Sequence, residues 1–105
     1  MASLYYIENI GCDDTTHGLS YMTDDQFSVF KTIVENLNKN STYGCMPTIT
    51  VYKIDKSFIR AATENDPNYE ILYMNDGKYV LNDYIYGWSN KDCDFVCKEG
   101  VEKVI

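Results

Sequence analysis

The stretch from Thr23 to Lys39 constrains this chain more than any other. Thr23-Asp24-Asp25-Gln26 has the form of a capping box: the Thr23 hydroxyl can accept from the Gln26 amide, and the Gln26 side chain can reach back to the Thr23 backbone. Asp24 and Asp25 sit where a helix dipole favours negative charge. At about 100° per residue, Phe27, Phe30, Ile33, Val34 and Leu37 fall in one stripe about 120° wide. Ser28, Lys31, Thr32, Glu35 and Asn36 take the opposite side. The spacing predicts a helix over 24–39 whose stripe must lie on an apolar surface. Asn38 and Asn40 suit its end.

Strands have to supply that surface. Ser3–Ile10 carries Leu4, Tyr5, Tyr6 and Ile7, all good strand formers. Gly11 ends it, Cys12 to Gly18 reads as a polar hairpin loop, and Leu19–Met22 as a short return. Thr48–Ile54 is β-branched or aromatic at most positions and is expected to be a central strand, with Pro47 at its entrance and Gly44 turning the loop before it. Ser41, Thr42 and Tyr43 in that loop either connect helix to strand or present hydroxyls to a ligand. Residues 57–62 suit a strand or a turn of helix, and Glu64 to Asn68 a loop.

Tyr69–Met74 and Lys78–Tyr86 read as a hairpin around Asn75-Asp76-Gly77. A two-residue loop at Asp76-Gly77 would set Glu70 against Asp83, so a three-residue loop pairing Ile71 with Leu81 and Tyr73 with Tyr79 is preferred. Ser89-Asn90-Lys91-Asp92 resembles a second cap. It predicts a short helix over about 90–98 with Cys93, Val96 and Cys97 inward, ended by Gly100. Val101–Ile105 would add an edge strand. The expected fold is α+β in a single domain over 1–105: an antiparallel sheet of about four to six strands on one long helix, with the short C-terminal helix.

Composition bounds the partners. A net charge of −7 opposes nucleic acid and anionic membranes, whose binding rests on cations. No apolar run approaches the roughly 20 residues of a bilayer span, and no basic-then-apolar leader is visible, so a cytoplasmic setting is expected. Cys12, Cys45, Cys93 and Cys97 then read as reduced thiols. Cys12, His17, Cys93 and Cys97 could hold zinc, but the tight Cys-x-x-Cys pair is missing. Adjacent Asp13 and Asp14 could bind Mg²⁺ or simply bond nearby backbone. Arg60, the sole arginine, can clamp a phosphate or form a surface ion pair.

Ile10-Gly11-Cys12-Asp13-Asp14-Thr15-Thr16, Thr23-Asp24-Asp25-Gln26-Phe27 and Ser41-Thr42-Tyr43-Gly44-Cys45-Met46-Pro47, in that order, resemble small uncharacterised proteins of bacteriophages and Gram-positive bacteria. The likeness covers the first half of the chain and carries over no catalytic residue. A phage setting would imply an anti-defence role, either sequestering a nucleotide immune signal or blocking a host defence protein.

No phosphate loop, nucleophile elbow or HExxH motif is present, so no enzyme is expected. Ten tyrosines are a heavy load, and two modest helices cannot shelter both faces of such strands. The leftover rings are expected to meet another molecule. The leading expectation is a homo-oligomer whose pocket holds a nucleotide-like signal through Ser41, Thr42, Tyr43, Arg60, Tyr84, Tyr86 and Trp88, without cofactor or metal. The alternative is an acidic inhibitor covering a basic host protein, by nucleic-acid mimicry or otherwise.

Overall fold

The computed structural model describes residues 1–11, 14–40 and 48–105. Its elements in chain order are β1 (Ser3–Ile10), β2 (Thr15–Met22), α1 (Asp24–Lys39), β3 (Thr48–Ile54), β4 (Ile59–Ala61), β5 (Leu72–Met74), β6 (Gly77–Leu81), β7 (Tyr86–Ser89), β8 (Asp94–Cys97) and β9 (Val101–Lys103). Short 3-10 turns at Lys56–Phe58 and Asn68–Glu70 precede β4 and β5. Seven strands form one sheet in the order β4-β6-β5-β2-β1-β3-β9, and β7 with β8 forms a separate two-stranded ribbon.

The scaffold is the three strands β2-β1-β3, with β1 in the centre. β1 pairs with β2 along its whole length, from Ser3 opposite Met22 to Ile10 opposite Thr15, and with β3 from Leu4 opposite Ile54 to Ile10 opposite Thr48. Alternation along these strands sorts the apolar residues onto two faces. Tyr5, Met22 and Val51 form a buried cluster with Phe27 and Phe30 of α1. Leu4, Tyr6, Leu19, Tyr52, Ile54, Phe58, Leu72 and Ile85 form the second cluster.

The helix begins as its sequence requires. Gln26 N–H donates to the Thr23 hydroxyl at 3.2 Å, and Thr23 N–H donates to Gln26 Oε1 at 2.9 Å. Of its stripe, only Val34 is buried; Phe27 and Phe30 are half-buried, while Ile33 and Leu37 remain more than half exposed. Tyr5 and Phe27 stack face to face, centroids 4.7 Å apart. Asn38 does more than end the helix. Its amide donates to Ile49 O at 2.8 Å and its Oδ1 accepts from Ile49 N–H at 2.9 Å, which fastens α1 to the start of β3.

Several expectations need correction. The sheet is larger than four to six strands and is mixed, because β5 runs parallel to β2, Gly18 beside Tyr73. β3 has partners on both sides but lies next to the edge strand β9, so β1 and β2 occupy the middle. β2 begins at Thr15, so most of the expected polar loop is strand.

The C-terminal helix over 90–98 is absent: Tyr86–Ser89 and Asp94–Cys97 pair antiparallel, Trp88 opposite Phe95. The cap-like Ser89-Asn90-Lys91-Asp92 makes a turn instead, with Asp92 N–H donating to Ser89 Oγ at 3.2 Å. Caps and hairpin turns use the same hydroxyl-to-amide bond, and the β-forming run Phe95-Val96-Cys97 decides between them. Cys93 closes the turn at φ 52°.

The β5–β6 loop also differs. Met74 opposes Gly77 and Leu72 opposes Tyr79, leaving Asn75-Asp76 as a two-residue turn. One step of register exchanges faces, so Tyr79 joins Leu72 in the second cluster and Tyr73 points away from it. Gly100 ends no helix; at φ 89° it turns the chain between β8 and β9. A Cβ there would lie 2.5 Å from Asp55 Oδ2. No helix among the described residues is long and apolar enough to cross a membrane.

Candidate binding cavity and aromatic ribbon

Period-two alternation puts Tyr6 and Glu8 on one face of β1, and the β1–β2 register sets His17 opposite Glu8. The Tyr6 hydroxyl and His17 Nδ1 share a hydrogen bond whose direction the imidazole tautomer sets. Tyr6 also reaches Glu8 Oε2 at 3.5 Å, and His17 Nδ1 lies 3.8 Å from the same oxygen. The Tyr6 and His17 rings stack, centroids 5.6 Å apart. Burial, then the Glu8 carboxylate, pushes the Tyr6 phenol far above its ordinary value. The same two causes raise Tyr52, its neighbour across β3. Both phenols therefore stay neutral hydroxyls.

Tyr6 and His17 form one wall of a cavity of about 440 Å³. Leu72, Val80 and Leu81 give it apolar surface; Tyr69, Glu70, Asn82, Asp83 and Tyr84 complete it. Tyr69 and Tyr84 are 80% and 79% exposed, and among the described residues neither ring has a stacking or cationic partner. Asp83 accepts from Lys98 Nζ at 2.9 Å, which holds its carboxyl below the usual range. Among the described residues Glu70 has no ion-pair partner. A second hollow of about 410 Å³ includes Tyr21 and Tyr73, whose rings already carry Lys56 and Lys78 at 5.6 Å and 5.8 Å.

The ribbon is the other candidate. Pairing puts Tyr86, Trp88, Phe95 and Cys97 on one of its faces. Phe95 meets Trp88 edge to face at 5.4 Å and Tyr86 at 6.1 Å, yet Trp88 and Phe95 remain 57% and 62% exposed. Every residue of β8 is exposed.

The residues singled out from sequence are dispersed. Tyr84 lines the cavity, while Tyr86 and Trp88 belong to the ribbon. Arg60 lies on edge strand β4, its fork filled by Asp66 at 2.7 and 3.0 Å. Ser41, Thr42 and Tyr43 lie outside the described residues, as do Cys12, Asp13, Gly44, Cys45 and Pro47. Cys93 and Cys97 are exposed on the ribbon rather than one helical turn apart. No group of three metal-ligating side chains occurs among the described residues.

Sequence reading missed Tyr6 and Glu8 as site residues, took His17 only as a candidate zinc ligand, and missed Tyr69 and Glu70. A signal for the first three existed: the i, i+2 spacing of Tyr6 and Glu8, with His17 brought opposite by the β1–β2 hairpin. Five of the nine described tyrosines are exposed, so the expected surplus of ring surface is present. No family model matches the chain, and neither a curated protein nor a solved structure does.

Proposed function

We propose that this protein is a non-catalytic binding protein that attaches to a basic surface of another protein through the β7–β8 ribbon. The observation that carries this reading is the exposed Tyr86–Trp88–Phe95 ladder. Tryptophan and tyrosine dominate interface energetics, and a preordered edge-to-face stack loses little freedom on docking. Carboxylates outnumber lysines by four to two over residues 83–99, and the chain as a whole carries −7, which favours a cationic partner. The likeness of the first half to phage proteins supports host defence as the setting.

Sequestration of a phosphate-bearing signal is the less favoured reading. Arg60 is already occupied by Asp66, and the cavity wall carries Glu70 and Asp83.

The test is retention of a partner from a Gram-positive host lysate on immobilised protein, at low and moderate salt. One basic protein should be held at low salt, released as salt rises, and lost on Trp88→Ala with Phe95→Ala. A single hot-spot truncation should weaken binding by at least about tenfold. Retention that ignores both salt and the ribbon substitutions would overturn the reading.

A further inference from the structure

The β1–β2 face holds a separate site whose chemistry the ribbon does not use. We propose that the cavity beside Tyr6 and His17 binds a small organic ammonium ion with a short apolar portion.

Size comes first. At about 440 Å³ the cavity lies within the range of small-molecule sites. Sign comes second. Among the described lining residues Glu70 and Asp83 are acidic, His17 is bonded to Tyr6, and no lysine or arginine is present. Lys98 answers Asp83, and among the described residues Glu70 has no ion-pair partner. A phosphate or carboxylate would meet that charge with no cation to offset it, whereas an ammonium group would complete it.

The walls supply the third observation. Tyr69 and Tyr84 line the cavity, and among the described residues no cation lies over either ring. Tyr21 and Tyr73, in the second hollow, are already covered by the protein's own lysines. A cation over a tyrosine face is attracted by the ring quadrupole, and paired faces beside a carboxylate are a recurrent way to hold quaternary ammonium groups. Leu72, Val80 and Leu81 suit the apolar part of such a ligand. Tyr6, tied to His17 and Glu8, serves as a fixed wall.

Choline and its neutral isostere 3,3-dimethylbutanol isolate the charge, since their shapes match. Each is titrated at millimolar concentration into the ¹⁵N-labelled full chain, with ADP-ribose as the anionic probe. Choline is expected to shift amides around Glu70, Asn82 and Tyr84, and to bind on the order of tenfold more tightly than the alcohol. Glu70→Gln and Tyr84→Leu, both at exposed positions, should each weaken choline several-fold while leaving the rest of the spectrum in place. Equal binding of choline and the alcohol would overturn the proposal. So would binding of ADP-ribose alone, or no response to any probe. Capture of a protein by the ribbon is read separately, so either result can fail without the other.

Discussion

Tyr5 and Tyr6 are neighbours, each 3% exposed, and they show how differently the two faces of this sheet are built. Tyr5 lies flat against Phe27 beneath the helix, in a cluster of apolar side chains. Tyr6 points to the other face, where it bonds His17 and Glu8 and borders a cavity. One face is covered by the helix, with Val34 buried and Phe27 and Phe30 half-buried. The other holds the larger buried cluster, including the rings of Tyr6, Tyr52 and Phe58, and leaves Tyr69 and Tyr84 exposed at the cavity. Both faces therefore carry core, and the second also offers surface for recognition.

The largest expected effect tests the first face directly. Tyr5→Ala removes a buried ring and its stacking partner's surface, and should cost about 3–5 kcal/mol, as buried aromatic truncations do. Against a total of roughly 5–15 kcal/mol for a domain of this kind, urea unfolding should show a midpoint shifted by a large fraction. A loss under about 1 kcal/mol would mean that the helix face contributes little to the core.

Asn38→Ala comes next. It leaves the Ile49 N–H and C=O without their side-chain partner and should cost about 1–3 kcal/mol. Asn38→Asp keeps one acceptor and should recover part of the loss. Hydrogen exchange at Ile49 would rise in the alanine variant, which ties the effect to the junction of α1 and β3.

On the second face, Tyr6→Phe keeps the ring and deletes the hydroxyl. The expected cost near neutral pH is about 1 kcal/mol. The pH dependence is more telling. The folded state raises the Tyr6 pKa, so the contribution of the neutral phenol is fully present below the unfolded value of about 10 and is lost as pH climbs above it. Denaturation followed from neutral into alkaline solution should show stability falling less steeply in Tyr6→Phe than in the parent. Identical slopes would place Tyr6 in a solvated setting and weaken the contrast between the faces.

The two faces were also unequally legible in the sequence. The capping box and the Phe27–Val34 stripe specify α1 to the residue, because both signals are local. β1 is equally plain. The cavity was not legible: it needs Tyr69 and Glu70 from a 3-10 turn, Asn82 to Tyr84 from the stretch after β6, and a β5–β6 register one step from the expected one. Registers are set by non-local packing, and a single step reverses which rings face inward. The ribbon failed for a different reason. Ser89 and Asp92 form the bond that a helix cap would form, so local chemistry could not separate helix from hairpin. Only the run of Phe95, Val96 and Cys97 leaned toward strand.

The smallest stability effect belongs to the ribbon, and it completes the contrast with Tyr5. Trp88 is 57% exposed; its indole donates to Asn90 within the same turn and its ring touches Phe95. Replacing it with alanine removes its bond to Asn90 and its ring contact with Phe95, both inside the ribbon. The expected change in unfolding free energy is within about 0.5 kcal/mol, the range of ordinary surface substitutions. One buried-to-exposed comparison follows: Tyr5→Ala should damage folding, and Trp88→Ala should spare folding while removing the docking surface. A Trp88→Ala protein that unfolded as readily as Tyr5→Ala would show the ladder to be a structural brace. The exposed rings would then be part of what holds the second face closed, and the ribbon would lose its standing as the surface that meets a partner.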